Sequence, residues 1–213
     1  MKKYVILISG RGSNMEVLLN ANLPGECAAV ISNRPDASGL VFARNRGIHT
    51  AVIDHRQYQD RGDFDMALAE EIERHAPDLL LLAGFMRVLG NAFVERFADC
   101  MLNIHPSLLP AFAGLHTHRE AMASGTKIHG CTVHFVTPTL DNGPIVIQAA
   151  VPVLDADDEE SLRARVLAQE HIIYPQAAVW FLQGRLRVQN GRVMVDAPNA
   201  VDRSLISPAQ MSS

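Results

Sequence analysis

Strand-length segments alternate with helix-spaced segments over the first eighty residues of this chain. The strand-length segments are Tyr4 to Ile8, Ala28 to Ile31, His49 to Ile53 and Asp78 to Ala83. The first is apolar and β-branched at consecutive positions, not at alternate ones. A strand apolar on both faces is buried on both, as strands of a parallel sheet are. Met15 to Ala21, Ala37 to Arg46 and Phe64 to His75 lie between them with helical spacing. In the last of these, Phe64, Ala67, Leu68 and Ile72 share one face and charges occupy the other. Gly47 closes the second helical segment and Pro77 the third. Such alternation predicts an α/β fold, a mostly parallel Rossmann-like sheet with right-handed crossovers.

The pattern changes after the strand that contains Asn103. Leu108 to Leu115 reads as a loop and His116 to Ala123 as a short helix. Gly130 to Val136 and Ile145 to Val153 read as paired strands joined by Pro138 to Pro144. Asp157 to Trp180 is a long helical pattern opened by four acidic residues, which suit a helix N-terminus. Pro175 is expected to kink or restart it. Asn190-Gly191, within Leu186 to Val195, signals a hairpin turn. The C-terminal half is therefore expected to be mixed. Residues 1–200 form one domain, with halves 1–100 and 101–200, and the polar stretch 201–213 is expected to be a disordered tail.

Of the 213 residues 48% are hydrophobic, enough to bury one sizeable core. The net charge is −4 and no basic stripe occurs, which argues against nucleic acid or a membrane surface as partner. Cys27, Cys100 and Cys131 form no CxxC and no disulfide framework, so a reducing cytoplasm is the expected location. The short apolar run after Met1-Lys2-Lys3 reads as a first strand, not a signal peptide. No apolar stretch is long enough to span a bilayer.

Ser9-Gly10-Arg11-Gly12-Ser13-Asn14 follows the first strand and opens a helix. Glycines there let backbone N–H groups approach an anion, and a helix N-terminus favours negative charge. Met15 stands where a dinucleotide fingerprint needs its third glycine, and the Walker Lys-Ser/Thr pair is missing. A single phosphate is the better match. An ordinary strand-to-helix turn capped by Ser13 or Asn14 is equally compatible.

Asn103-Ile104-His105-Pro106-Ser107-Leu108-Leu109-Pro110 follows the apolar run Cys100-Met101-Leu102. Residues i and i+2 of a strand share a face, so Asn103 and His105 can point at one spot. Asn can donate to a developing oxyanion, and His can move a proton near neutral pH. A core amide with a capping imidazole fits the same pattern. Asp141 stands in the turn sequence Leu140-Asp141-Asn142-Gly143-Pro144 and can orient His105 if the fold brings them together. His116, His118, His129 and His134 invite a metal reading, but neither a Cys pair nor HExxH supports it. No Gly-x-Ser-x-Gly elbow is present, which disfavours a serine hydrolase. Gly84 to Leu89, a Phe/Met/Leu cluster at a strand end, suits either core or the wall of a flat aromatic ligand.

Taken together, the chain resembles the folate-dependent phosphoribosylglycinamide formyltransferases. The likeness is carried by Ile8 to Asn14, Leu82 to Arg87, Asn103 to Pro110, Gly114-Leu115-His116-Thr117-His118, Val133 to Val136, Leu140 to Pro144 and Gln169-Glu170-His171. It covers roughly residues 3–186. It implies a formyltransferase fold and formyl transfer from 10-formyltetrahydrofolate to the amine of glycinamide ribonucleotide in purine biosynthesis. It implies Asn103, His105 and Asp141 as the catalytic trio, supported by His134, Ser107 and His116. Gly12, Ser13, Asn14 and Glu170 would hold the ribonucleotide. Arg61, Met86, Arg87, Val88, Leu89, Thr137, Leu140 and Asp141 would hold the folate, and residues 110–125 would form a mobile flap. No metal, redox cofactor or covalent enzyme intermediate is required. The partners are small molecules, and a hydrophobic helix face leaves room for a homodimer. Asn142 stands where the family often has glycine, and is tolerated there at negative or left-handed φ. A formyltetrahydrofolate hydrolase and a non-catalytic folate- or nucleotide-binding module are the alternatives. Formylation of a methionyl-tRNA fits poorly with so short and non-basic a chain.

Overall fold

The computed structural model describes residues 1–197 together with 205 and 207. The tail expected from residue 201 therefore lies, but for those two positions, outside the described residues. Seven strands form one sheet in the order β3-β2-β1-β4-β5-β6-β7. They are β1 (Lys3–Ile8), β2 (Glu26–Ser32), β3 (Thr50–Val52), β4 (Leu79–Leu82), β5 (Met101–His105), β6 (Ile128–Phe135) and β7 (Ile145–Pro152). The first five are mutually parallel, and β6 and β7 are each antiparallel to the strand before them. The expected mostly parallel sheet with a mixed C-terminal part is thus observed.

Consecutive apolar residues along the strands feed two cores, one on each face. Tyr4, Ile6, Ile8, Leu79, Leu81, Leu102 and Ile104 pack under helices α1 (Ser13–Asn20), α2 (Gly39–Asn45) and α6 (Glu159–Leu182). Val5, Leu7, Leu80, Leu82 and Met101 pack under α3 (Arg61–Glu73) and α4 (Asn91–Arg96). All four leucines of β4 are buried, each contributing roughly 1.5–3 kcal/mol of hydrophobic stabilisation. Phe64, Leu68 and Ile72 of α3 are buried as its spacing predicts. Helix α5 (Thr117–Ala123) follows β5 on the far side of a loop.

Several boundaries differ from the sequence-based expectation. α1 begins at Ser13, with Gly12 in the left-handed cap position (φ 77°) and no side-chain cap, so Ser13 and Asn14 are not capping residues. α4 was not expected: it is six residues long and Gly90 at its start offers no capping side chain. α6 runs through Pro175 as one helix and neither breaks nor restarts. Buried Ile173, Tyr174, Ala177 and Ala178 hold it on both sides of the proline, outweighing one lost N–H. Its start is a capping box: Ser161 N–H donates to Asp158 Oδ1 (2.7 Å), and Asp158 N–H donates to Ser161 Oγ (3.0 Å). Strands β8 (Leu186–Gln189) and β9 (Arg192–Val195) form the expected hairpin, with Asn190 and Gly191 both at positive φ.

Candidate active site

The chain leaves β1 and returns along β2 on one side and β4 on the other, so strand order reverses between β1 and β4. Loops after strands flanking such a reversal diverge and leave a crevice at the carboxyl ends. Here the crevice is a cavity of about 420 Å³, lined by Ser9 to Asn14, Asn33, Arg34, His55, Ala83, Gly84, Met86 and Arg87. Ser9 ties the three strand ends together. Its N–H donates to the Gly84 carbonyl (3.2 Å), its hydroxyl donates to Asn33 Oδ1 (2.6 Å), and Met86 N–H donates to its Oγ (2.7 Å). Gly39 of α2 packs against this loop, and a Cβ there would lie 2.9 Å from the Arg11 carbonyl oxygen.

The cavity floor is the N-terminus of α1. The N–H groups of Ser13 and Asn14 belong to the first turn and have no intrahelical acceptor, and the helix dipole places partial positive charge there. Arg11, Arg34 and Arg87 add cationic side chains, while no carboxylate lines the cavity. Such a donor set has the size and charge to suit a phosphate-like anion. Asn14 Nδ2 donates to Glu170 Oε2 (2.7 Å), which links the loop to α6. Burial raises the Glu170 carboxyl pKa, and the Asn14 bond opposes that shift.

The second group of polar residues sits at the end of β5. Asn103 pairs with His134 and His105 with Thr132 in the β5–β6 register. His134 Nδ1–H donates to the Phe135 carbonyl (2.8 Å), which leaves Nε2 as an acceptor for Asn103 Nδ2–H (3.2 Å). Burial lowers the His134 pKa, so the neutral ring serves as that acceptor. One amide N–H of Asn103 is used in this bond and the other remains for a ligand. His105 is buried. Its Nε2 lies 3.0 Å from the Phe112 carbonyl and its Nδ1 3.6 Å from Asp141 Oδ2. Both neighbours are acceptors, so each ring nitrogen of His105 faces an oxygen. Asp141 Oδ2 also accepts the Gly114 N–H (3.0 Å), and its Oδ1 lies 3.9 Å from His134 Nε2. A strand-borne amide, a strand-borne imidazole and a loop carboxylate thus converge, ready to polarise a carbonyl and move a proton.

Residues 2–178 match the family model described as "Formyl transferase". The chain belongs to the formyl transferase family. This formyl transferase is 47% identical over 196 residues to phosphoribosylglycinamide formyltransferase of Escherichia coli (strain K12), covering 90% of this chain and 92% of that one. It is 42% identical to the "Trifunctional purine biosynthetic protein adenosine-3" of Bos taurus, covering 90% of this chain and 19% of that longer protein. Among solved structures it resembles glycinamide ribonucleotide transformylase 1 from Symbiobacterium toebii, with a TM-score of 0.89 and 47% identity. That match covers 92% of this chain and 94% of the other.

The remaining expected site residues of this formyl transferase fall into three groups. Arg61 and Arg87 flank buried Asp65; burial raises that carboxyl's pKa, while the Gly90 N–H and the two arginines oppose the shift. The Met86–Leu89 segment is thereby held at the end of β4. Met86 is 68% exposed and Val88 is also exposed, but the Leu89 side chain packs in the core with Phe85 and Phe93. Leu140 is exposed, and Thr137 lies apart from the first cavity: it lines a separate cleft of about 660 Å³ against the β8–β9 hairpin. His116 is exposed at the N-cap of α5, two residues after Gly114. Ser107 is buried and its hydroxyl donates to the Ala111 carbonyl (2.6 Å), so it shapes the loop that covers His105. Asn33, Arg34, His55 and Asp65 carry no motif in the sequence; the position of the first three after strand ends is the signal that could find them.

The histidines that invited a metal reading do not converge. His134 bonds Asn103 and His116 faces solvent, while His118 Nδ1 and His129 Nε2 form a buried pair 3.1 Å apart. Burial, and then the neighbouring His118, lowers the His129 pKa from 6.5 to about 4. The folded state then binds fewer protons than the unfolded state between these values. Stability present above pH 6.5 is lost as the pH falls toward 4. The full shift corresponds to about 3 kcal/mol. The urea midpoint of the wild type should therefore fall more steeply between about pH 7 and about pH 4.5 than that of His129→Gln. Parallel pH profiles would show that His129 carries no such linkage.

Proposed function

We propose that this enzyme transfers the formyl group of 10-formyltetrahydrofolate to the amine of glycinamide ribonucleotide, a step of purine biosynthesis, with Asn103, His105 and Asp141 carrying the chemistry. The observation that supports it best is that these three groups converge at one end of the sheet that also holds a phosphate-sized cationic cavity. The relatives that match over nearly the whole chain carry the same activity in their names.

In this reading Gly12, Ser13 and Asn14 hold the ribonucleotide phosphate, and Glu170 accepts hydrogen bonds from its ribose or glycinamide end. The folate lies along Met86 to Val88 and the Leu140–Asp141 turn, with Arg61 and Arg87 near its anionic tail. The amine attacks the formyl carbon and the carbonyl π pair moves onto oxygen. The free N–H of Asn103 donates to that oxyanion, and protonated His105 turns from the Phe112 carbonyl to assist. An oxyanion donor contributes ~10²–10³ in rate. The attacking nitrogen loses a proton, the departing folate nitrogen gains one, and the C–N bond to folate breaks as the carbonyl re-forms. Asp141 balances the charge on His105 and positions the water that relays the proton. Holding amine and formyl carbon together supplies much of the remaining rate. The partners are small molecules and the place of action is the cytoplasm. Among the described residues no helix is long and apolar enough to cross a membrane.

The test is absorbance-monitored turnover of a formyl-folate analogue with and without glycinamide ribonucleotide. Folate product should form only when the ribonucleotide is present. Equal rates in its absence would identify a hydrolase, and tight binding without turnover would identify a binding module.

A further inference from the structure

Glu71 lies in the last turn of α3 and His75 four residues on, in the turn that follows its C-cap Arg74. His49 immediately precedes β3, at the amino end of the sheet, opposite the strand ends that carry the cavity. His75 Nε2 is 3.3 Å and His49 Nε2 is 3.8 Å from the same oxygen, Glu71 Oε1. The three candidate ligand atoms lie within 4.8 Å of one another. The imidazole centroids are 5.0 Å apart with planes tilted by 46°.

A Glu–His ion pair at i, i+4 accounts for His75 but not for His49. At 3.8 Å its Nε2 is beyond hydrogen-bond reach of Glu71, and its side chain, 58% exposed, could turn to water instead. A tetrahedral zinc ion with bonds of about 2.1 Å holds its ligand atoms about 3.4 Å apart, close to both distances. Glu71 is also oriented from behind: Arg74 Nη1 donates to Oε2 (2.9 Å), leaving Oε1 presented to the two rings. The exposed side of His49 leaves a fourth position open to water. Two imidazole nitrogens and one carboxylate oxygen form a donor set for borderline divalent metals and a poor one for magnesium. Among the described residues this is the one His/Cys/Asp/Glu group of metal-binding size.

We propose that His49, Glu71 and His75 bind a zinc-class divalent ion that ties the start of β3 to the end of α3. None of the three touches the catalytic trio or lines the cavity, so the ion is structural. Calorimetric titration of the full chain with zinc chloride should show one site, and magnesium chloride none. Zinc should raise the Tm of the wild type. Glu71→Gln and His49→Ala should each weaken zinc binding at least tenfold and abolish the Tm rise, with turnover unchanged. The exposed position of His49 makes misfolding an inadequate explanation of its loss, and His118→Asn should bind zinc as the wild type does. Wild-type zinc affinity in His49→Ala and Glu71→Gln would overturn the proposal, as would loss of binding in His118→Asn alone.

Discussion

His105→Ala is expected to lower kcat by ~10²–10⁴ while leaving the KM for both substrates within a few-fold. The imidazole makes one short contact, from Nε2 to the Phe112 carbonyl, and faces the Asp141 carboxylate across 3.6 Å. Losing that buried hydrogen bond costs about 1–3 kcal/mol, less than the usual stability of a domain. The Phe112 carbonyl and the Gly114–Asp141 contact remain to hold the loop over the site. The cavity that would take the phosphate is lined by other residues, so ground-state binding should persist. Steady-state kinetics at saturating substrates decide the matter, with a thermal melt as the folding control. A kcat close to that of the wild type would remove His105 from the chemistry and leave it a loop anchor.

The parts of the site carried by local pattern were legible in the sequence. Asn103 and His105 share a strand and a face because period two demands it, and the Gly-rich loop enters a helix N-terminus as its spacing implies. What sequence did not reveal depends on long-range register. That His134 orients Asn103 follows from a cross-strand pairing 31 residues apart, which no local pattern encodes. That Asp65 supports the segment after β4 depends on how α3 packs on the sheet. That Thr137 lines a cleft against the β8–β9 hairpin, and that Leu89 buries its side chain in the core, likewise follow from packing between distant segments. Asn142 lies outside the left-handed region, one of the two conditions under which it is tolerated there; the left-handed φ (50°) falls on Asp141, whose carboxylate faces His105.

That turn is held from one side by a contact only glycine can make. A Cβ on Gly143 would overlap the Phe135 carbonyl oxygen and come within 2.8 Å of its carbon. Backbone at the end of β6 cannot step aside as a flexible side chain would, because Phe135 N–H is bonded to the Pro144 carbonyl (2.9 Å) and its strand is paired on both sides. Gly143→Ala must therefore push the Leu140–Pro144 turn outward, at an expected cost of about 3 kcal/mol. Asp141 lies two residues away, and a displacement of about 1 Å separates it from both His105 and Gly114. Misplacement of that size costs on the order of 10² in rate. Urea unfolding should show the stability loss, and kcat measured well below the unfolding midpoint should show the catalytic one. Gly184→Ala is the control: φ is 71° there but nothing lies within 4 Å, so strain alone acts. It should lose about 1 kcal/mol and keep full kcat. If Gly143→Ala behaves like Gly184→Ala, the Phe135 contact does not position Asp141, and the carboxylate owes its place to His105 and Gly114 alone.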